Sequence, residues 1–267
     1  MLATAAPPVR RAFARDVASA RRRRVLNVAH HGASARAPEN TLAALAAAVA
    51  DGADLVGFDV RRTQDGVLVL LHDETLDRTT DARLVYPRRA PGRVADFTLA
   101  ELGRLDAGSW KDTGSAGERV PTLTEAMDLV RPGGVGTLIE IKVGPGDRAP
   151  IAELTASSAA VPTWRAPRCS RSTPPACGRC ASRCPRWPSL SSAAPHARIF
   201  ARCPDGVDQV HPPHRQVDRR LVDEVHGWGM RCLVWTVNRP SCMHRVIALG
   251  VDGVIIDHPD LLRDHTV

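Results

Sequence analysis

The chain has 267 residues, of which 43% are hydrophobic and 24% are charged, and its formal net charge is +7. This composition is typical of a globular protein and excludes collagen-like and wholly disordered chains. The sequence has no apolar run of about 18 residues, which excludes a transmembrane helix. Lysine occurs only at Lys111 and Lys142, so the basic excess is almost all arginine. We attribute it to the codon usage of a GC-rich gene rather than to a nucleic-acid-binding surface.

The first 24 residues are rich in arginine and alanine, and we predict that they form a disordered leader ahead of a single domain at 25–262. The basic run Arg21–Arg24 has the charge to contact an acidic phospholipid or nucleic acid. We interpret it as a solvated tail, because it lacks the interleaved aromatic residues of a single-strand binder. The leader also lacks the uninterrupted apolar core of an export signal. The sequence therefore predicts a cytoplasmic protein.

Two stretches of the chain show alternating strand and helix patterns. The first predicts a strand at 25–29, a helix that follows Pro38 and ends at Gly52, strands at 53–60 and 67–71, helices that begin with capping boxes at Thr98 and Thr122, and a strand at 136–142. The second predicts a helix at 219–227, a strand at 232–237, a helix at 241–249 and a strand at 251–257. Strands that alternate with helices indicate an α/β fold with parallel strands and right-handed crossovers.

The segment at 144–204 breaks this alternation. It has neither the period of a strand nor that of a helix, and prolines interrupt it repeatedly. A GC-rich gene that is read in the wrong frame encodes much arginine, proline, serine, alanine and cysteine, and this segment is rich in the same residues. Our hypothesis is a frameshift that is entered near residue 160 and left near residue 200. The alternative is a Pro/Arg-rich loop insertion, although structureless loops of that length are uncommon in compact domains.

The same segment holds five of the seven cysteines. Cys177 and Cys180 have the spacing of zinc ligands, with Cys184 and either Cys169 or His196 as further candidates. A second Cys-x₂-Cys pair is missing from the sequence, which argues against a zinc site.

Polar residues follow several predicted strands at their carboxyl ends. They are His30 and His31 after the first strand, Asp59 near the end of the second, His72 and Asp73 after the third, Glu140 and Lys142 in the fourth, and Asn238 and Asp257 after the last two. In a parallel barrel the carboxyl ends of the strands share one face, which carries the active site. We therefore expect these side chains to meet in one site.

This set of residue types suits metal-assisted phosphoryl chemistry. Asp59 and Glu140 offer the hard oxygen ligands that Mg²⁺ and Ca²⁺ prefer. Two histidines can supply a general base and a general acid near neutral pH. Lys142 can neutralise phosphate charge, and it shares a strand face with Glu140 because residues i and i+2 point the same way.

Other residues have plainer interpretations. Asp257 serves equally well as a turn residue or as a site residue. His211 and His214 lie in a proline-rich stretch and are interpreted as loop residues. Trp235 is interpreted as a core or pocket-wall residue.

A series of short motifs runs along both stretches. The motifs are Ala29–Ser34, Ala37–Thr41, Asp59–Val60, Thr63–Gly66, Leu71–Thr80, Leu105–Trp110, Pro121–Leu123, Ile139–Lys142, Val234–Asn238 and Gly253–Asp257. In order and spacing this series resembles the glycerophosphodiester phosphodiesterase family, which opens with His-Arg-Gly followed by Pro-Glu-Asn-Thr. The resemblance covers about 25–142 and 205–262, and its motifs are highly specific.

The resemblance implies a TIM-type (β/α)₈ barrel. It also implies hydrolysis of small-molecule glycerophosphodiesters to glycerol 3-phosphate and an alcohol, with a divalent cation, Mg²⁺ or Ca²⁺. The residues implied by position are His30 and His72 as acid/base catalysts, Asp59 and Glu140 as metal ligands, Glu39 on the same rim as a further metal ligand, and His31, Lys142 and Trp235 as substrate-binding residues.

The chain departs from the family in three places. Gly57 stands where the family has the glutamate of a Glu-x-Asp metal-binding pair. His31 stands where the family has an arginine, which exchanges a fixed guanidinium for a weaker, pH-dependent donor. The fifth and sixth barrel strands should fall within about 145–204, where no strand pattern is recognisable.

These departures leave two alternatives to an active phosphodiesterase. One is a catalytically impaired or inactive relative, which binds phosphodiesters or is the product of a decayed gene. The other is a sphingomyelinase D-like lipase, because one fold can host different hydrolases.

Overall fold

The computed structural model describes residues 24–142 and 209–263. Residues 1–23 of the predicted leader lie outside the described residues. The segment with the candidate frameshift, the candidate zinc cysteines and the two unrecognised barrel strands also lies outside them.

Seven strands form the sheet of the described residues. They are β1 (Leu26–His30), β2 (Leu55–Arg62), β3 (Leu68–Leu70), β4 (Gly136–Ile141), β5 (Gln209–Val210), β6 (Arg231–Val234) and β7 (Gly253–Ile256). The strand order is β3-β2-β1-β7-β6-β5, and β4 also pairs with β2. Every pairing except that of β2 with β3 is parallel. The parallel strands curl as part of a TIM-type barrel, which confirms the predicted fold class.

The direction of β3 differs from the prediction. It runs antiparallel to the end of β2, with Val60 opposite Leu70 and Arg62 opposite Leu68, so it is the return arm of a hairpin. Gly66 in the turn has a φ of 88°, a conformation that glycine adopts without steric cost. With β3 set aside, β4 is the third barrel strand. The two barrel positions without a described strand are therefore the fourth and fifth, rather than the predicted fifth and sixth.

The described residues form seven α-helices. They are α1 (Leu42–Ala50), α2 (Ala82–Val85), α3 (Leu99–Leu102), α4 (Leu123–Val130), α5 (Arg219–Gly227), α6 (Pro240–Ala248) and α7 (Pro259–Arg263). The predicted capping boxes are confirmed, because Thr98 and Thr122 each exchange hydrogen bonds with the glutamate three residues later. Thr41 caps α1, and Gly52 follows its end with a φ of 76°. Among these helices none is long and apolar enough to cross a membrane.

Apolar side chains fill both faces of the curled sheet. In one apolar cluster α1 and α4 pack against β1 and β2. In a second cluster α5 and α6 pack against β6 and β7. A smaller cluster on the inner face consists of Val28, Leu55, Leu138, Leu233 and Ile255, which come from five different strands. Two of its members, Leu138 and Ile255, also line the pocket at the strand ends. The inner cluster therefore forms the apolar base of the pocket, next to its polar residues.

Candidate active site

A pocket of about 210 Å³ opens at the carboxyl ends of the parallel strands. Its lining residues are His30, His31, Gly57, Phe58, Asp59, His72, Leu138, Glu140, Lys142, His211, Trp235 and Ile255. The structure thus brings together all the residues that the sequence predicts for catalysis and substrate binding. It also brings in two of the three predicted metal ligands, and Glu39 is the one outside the lining.

Asp257, directly after β7, orients His30 at the end of β1. Nδ1 of His30 lies 2.7 Å from Oδ1 of Asp257, and the parallel pairing of β1 with β7 brings the two strand ends side by side. Nδ2 of Asn238 and Oγ of Ser34 also donate to this carboxylate. Burial alone would raise the pKa of Asp257, but the bond with His30 and the other bonds lower it below its usual value. Asp257 is therefore a site residue and not only a turn residue.

The loop after β1 presses His31 against Asp59. His31 and Asn40 have φ values of 57° and 59°, which histidine and asparagine adopt more readily than most residues. The Asn40 N–H donates to the carbonyl oxygen of His31, which closes the loop. The Asn40 amide donates to Oδ2 of Asp59 at 3.0 Å and accepts from the Asp59 N–H. Sequence reasoning assigned no role to Asn40, although it lies in the Pro-Glu-Asn-Thr motif.

Asp59 is the buried charge at the centre of the pocket, with a side chain that is 1% exposed. Its Oδ2 lies 3.0 Å from Nε2 of His31, and its Oδ1 lies 3.2 Å from Nζ of Lys142. Burial alone would raise the pKa of Asp59, but the charge of His31 and its hydrogen bond, with the charge of Lys142, hold that pKa well below its usual range. Burial likewise opposes charge on His31 and Lys142, yet Asp59 raises the pKa of both.

Glu140 and Lys142 meet in the pocket as the strand pattern predicts. Glu140 lies directly opposite Asp59 in the register of β4 with β2. Its Oε1 accepts a hydrogen bond from Nζ of Lys142 at 2.7 Å. The ammonium group of Lys142 therefore contacts both carboxylates.

His72 reaches the pocket through the β2–β3 hairpin. The Leu71 N–H donates to the carbonyl oxygen of Asp59, so the return arm brings the next residue back to the level of the carboxyl strand ends. Arg61 fixes this position by donating twice to the carbonyl oxygen of His72, at 3.0 and 2.7 Å. Nδ1 of His72 lies 2.7 Å from Oδ1 of Asp73. Both predicted catalytic histidines therefore have Nδ1 on an aspartate.

Arg78 clamps the carboxylates of Asp73 and Glu39. Its Nη1 and Nη2 donate to the two oxygens of Glu39 at 2.8 and 2.7 Å, and its Nε donates to Asp73 at 2.5 Å. The hydrogen bond from Arg78 is the main cause that lowers the pKa of Asp73 to about 2. The oxygens of Glu39 are thus engaged by Arg78. Arg78 lies in the His-Asp-Glu-Thr stretch of motifs, but sequence reasoning assigned it no role.

His211 is a pocket residue that the sequence interpretation missed. It lies directly after β5 and is 5% exposed. Because β5 pairs with β6, the strand ends lie together, and Nε1 of Trp235 donates to the carbonyl oxygen of His211 at 2.8 Å. A strand of two residues is too short to show an alternation of apolar and polar residues. The surrounding prolines therefore led to the interpretation of His211 as a loop residue. Trp235 lines the pocket as predicted, whereas His214 is not among the lining residues.

Three residues of the pocket have the geometry to hold a metal ion. Ligand atoms of His31, Asp59 and His72 lie within 4.8 Å of one another. Gly57 lines the pocket but offers no side-chain ligand, and a Cβ there would lie 3.2 Å from the carbonyl oxygen of Ala29. This group combines imidazole nitrogens with a carboxylate, unlike the all-carboxylate set that the sequence predicts.

Known proteins are similar to this sequence over most of its length. The sequence model of the glycerophosphoryl diester phosphodiesterase family matches residues 30–173 and 190–261. A glycerophosphodiester phosphodiesterase of Caldanaerobacter subterraneus subsp. tengcongensis is 34% identical over 251 residues, which cover 90% of this chain and 96% of that protein.

Solved structures agree with the sequence comparison. A phosphodiesterase of Oleispira antarctica, in complex with the product sn-glycerol-3-phosphate, is 29% identical with a TM-score of 0.73, over 89% of this chain and 94% of that one. A glycerophosphodiester phosphodiesterase of Agrobacterium tumefaciens is 27% identical with a TM-score of 0.63, over 89% and 98% of the two chains. With the family matched across both described parts of the sequence, this chain belongs to the glycerophosphoryl diester phosphodiesterase family.

Proposed function

We propose that this chain hydrolyses glycerophosphodiesters to glycerol 3-phosphate and an alcohol. The observation that carries the proposal is the pair of histidines, His30 and His72, which line one pocket and each have Nδ1 on an aspartate. The family membership and the product bound by the Oleispira antarctica relative support the substrate class.

We assign proton transfer to His30 and His72. A carboxylate on Nδ1 favours the tautomer whose other ring nitrogen is free to accept a proton. One imidazole then takes the proton of the attacking oxygen. The other starts the reaction as an imidazolium, which its aspartate also stabilises, and protonates the leaving alcohol oxygen. The two transfers balance, because hydrolysis consumes one proton at the leaving group for each one released by the nucleophile.

We assign binding of the phosphate to Lys142 and His31. Both are held against the buried carboxylate of Asp59, so their positions in the pocket wall are fixed, and the ammonium group of Lys142 supplies a fixed positive charge. Fixed charges stabilise the negative charge that develops on phosphate oxygens without having to reorganise during the reaction. Trp235 also lines the pocket and offers an apolar surface that suits the carbon skeleton of the substrate.

The residues present fit a divalent cation. Asp59 is buried and ionised, Glu140 lies opposite it in register, and His31 adds a nitrogen donor 3.0 Å from Oδ2 of Asp59. A divalent cation bound there would polarise a non-bridging oxygen of the substrate phosphate. The sequence prediction of Mg²⁺ or Ca²⁺ counts Glu39 as a third carboxylate ligand, but the oxygens of Glu39 are engaged by Arg78.

The direct test is an assay of the metal-supplemented full chain with glycerophosphocholine, in which glycerol 3-phosphate is followed with a coupled dehydrogenase. We expect glycerol 3-phosphate and choline in equal amounts. His30→Asn should abolish the release, whereas His226→Asn should not, because His226 pairs with Asp252 outside the pocket.

The alternatives predict different products. Release of choline and ceramide phosphate from sphingomyelin, without turnover of glycerophosphocholine, would support a sphingomyelinase D-like lipase. Binding of glycerophosphocholine without turnover would support an inactive relative. We propose the cytoplasm as the compartment of the reaction, which fractionation of cells that produce the tagged chain would test.

A further inference from the structure

The carboxylate of Asp59 has an imidazole nitrogen as its close neighbour. Nε2 of His31 lies 3.0 Å from Oδ2 of Asp59, and the two side chains are 13% and 1% exposed. Two donors on one cation, each about 2.1 Å from it, lie about 3.0 Å apart at right angles and about 3.4 Å apart at the tetrahedral angle. This separation is that of a hydrogen bond, and it is close enough to the spacing of two ligands that a small divalent cation can take the place of the proton between the two atoms.

The other side of the His31 ring faces a carboxylate. Nδ1 of His31 lies 3.8 Å from Oε1 of Glu39, and both oxygens of Glu39 are held by Arg78. Metal-binding histidines almost always direct their second nitrogen towards a carboxylate, a carbonyl or water, which sets the orientation of the ring. At 3.8 Å the two atoms are beyond hydrogen-bond distance, so Glu39 acts on the ring of His31 through its negative charge.

Oδ2 of Asp59 contacts His31 and the Asn40 amide. Lys142 contacts the opposite oxygen, Oδ1, and Gly57 adds no side-chain donor. His72 has a ligand atom within 4.8 Å of both His31 and Asp59, but its side chain is 42% exposed at the pocket and is paired with Asp73. The buried nitrogen that meets an ion on Asp59 is therefore that of His31.

We propose that His31 and Asp59 together bind one divalent cation of the class that accepts imidazole, Zn²⁺ or Co²⁺, in preference to Mg²⁺ or Ca²⁺. Imidazole is a good ligand for the later transition metals, whereas Mg²⁺ and Ca²⁺ take oxygen donors. The inference rests on the pocket of the proposed function and names its cation. Almost any protein site binds Zn²⁺ more tightly than Mg²⁺, so the distinguishing property is dependence on the His31 nitrogen.

The test is calorimetric titration of the metal-stripped full chain with Zn²⁺ and, separately, with Mg²⁺. His31→Asn removes the imidazole, and asparagine tolerates the φ of 57° at this position. We expect this variant to raise the Kd for Zn²⁺ at least about tenfold and to change the Kd for Mg²⁺ by less than about threefold. Asp59→Asn, which keeps the shape of the side chain, should weaken the binding of both cations.

His226→Asn is the matched control. His226 is a surface histidine whose Nε2 lies 2.7 Å from Oδ2 of Asp252, so it forms the same type of pair away from the pocket. This variant should leave both affinities unchanged. A Zn²⁺ affinity that survives His31→Asn in a folded protein, or that falls equally in His226→Asn, would overturn the inference.

The absorption bands of bound Co²⁺ provide a second measurement, because they report the donor atoms directly. The bands of the wild-type chain should change in His31→Asn and not in His226→Asn. The binding measurements test the cation, whereas the turnover assay tests the function. Turnover with a Zn²⁺ affinity that is insensitive to His31 overturns only the inference, and His31-dependent Zn²⁺ binding without turnover of any phosphodiester overturns only the function.

Discussion

Nδ1 of His30 lies 2.7 Å from Oδ1 of Asp257, so the residue that follows β7 orients the residue that ends β1. Asp257→Asn replaces an acceptor with an amide that can donate to Nδ1, and this favours the unproductive tautomer. We expect the turnover number for glycerophosphocholine to fall at least about tenfold with little change in KM. Asp257→Glu keeps the charge and should recover part of the rate. Steady-state kinetics of both variants measure this.

The matched control for Asp257→Asn is Asp252→Asn. Asp252 accepts from Nε2 of His226, so this change also removes an aspartate from a histidine, but outside the pocket lining. The turnover number should stay at the wild-type level even where Tm falls. Equal losses of turnover in the two variants would contradict a positioning role for Asp257.

His72→Asn tests the second proton-transferring residue. The side chain of His72 is 42% exposed, so the fold should tolerate the change. We expect turnover to fall by about 10²- to 10⁴-fold, the usual contribution of a positioned acid or base, while Zn²⁺ binding is retained. Rates and calorimetry on one preparation measure both. A loss of Zn²⁺ affinity as large as that in His31→Asn would make His72 a metal ligand and contradict its role in proton transfer.

Gly57→Glu adds a carboxylate to the pocket wall. The φ of Gly57 is not positive, and the new Cβ would lie 3.2 Å from the carbonyl oxygen of Ala29, so a shift of a few tenths of an ångström admits it. We expect Mg²⁺-dependent turnover to rise severalfold above the wild-type rate, because a hard cation gains an oxygen ligand. Gly57→Gln is the control of equal size. If a soluble, folded Gly57→Glu protein shows no gain in Mg²⁺-dependent turnover, the missing carboxylate at position 57 does not limit the activity.

Arg78→Met removes the clamp on Asp73 and Glu39. Arg78 is 46% exposed, so we expect a loss of no more than about 1 kcal/mol in the free energy of unfolding. The turnover number should fall by a larger factor, because both carboxylates lose their orientation. Unfolding in urea and steady-state kinetics separate the two effects.

The stabilisation by Arg78 has a definite pH dependence. Arg78 lowers the folded-state pKa of Asp73 from 3.8 to about 2 and also lowers that of Glu39 from 4.5, so the stabilisation is fully present above pH 4.5 and is lost as the pH falls towards about 2. The difference in unfolding free energy between the wild-type chain and Arg78→Met should therefore shrink over this interval. A difference that grows in acid would contradict the assignment.

The reading frame of the irregular segment is testable at the level of DNA. The family match leaves residues 174–189 uncovered, inside the predicted frameshift. Resequencing the codons for 143–210 and translating them in three frames should reveal two apolar strand patterns and a helix pattern in a neighbouring frame. If no frame has them, the segment is an insertion and the frameshift hypothesis is wrong.

Much of the pocket was predictable because parallel strands deliver their carboxyl ends to one face. His30 ends β1, and Asp59 and Glu140 lie opposite each other in the neighbouring strands β2 and β4, where the alternation of each strand sets which side chains point inward. The position of His72 was predicted for the wrong reason. An antiparallel return arm and a parallel barrel strand have the same period of two, so the sequence pattern does not distinguish them.

The contacts that the sequence does not predict form only when strands that are distant in the chain come together in the fold. The bond of Asp257 to His30 and the position of His211 beside Trp235 require strands that are far apart in the chain to meet. The engagement of Glu39 by Arg78 joins residues 39 positions apart. A local pattern contains the residue types of such pairs but not their partners.

Nine of the twelve residues that line the pocket come before residue 143. The groups assigned to act on phosphorus are therefore encoded in one continuous part of the gene, and a lesion in the codons for 143–208 does not touch them. A copy of the gene in which the reading frame is lost and restored within those codons keeps the motifs on both sides of the segment. Surveys of genomes that count enzymes by these motifs will include such copies among the active ones.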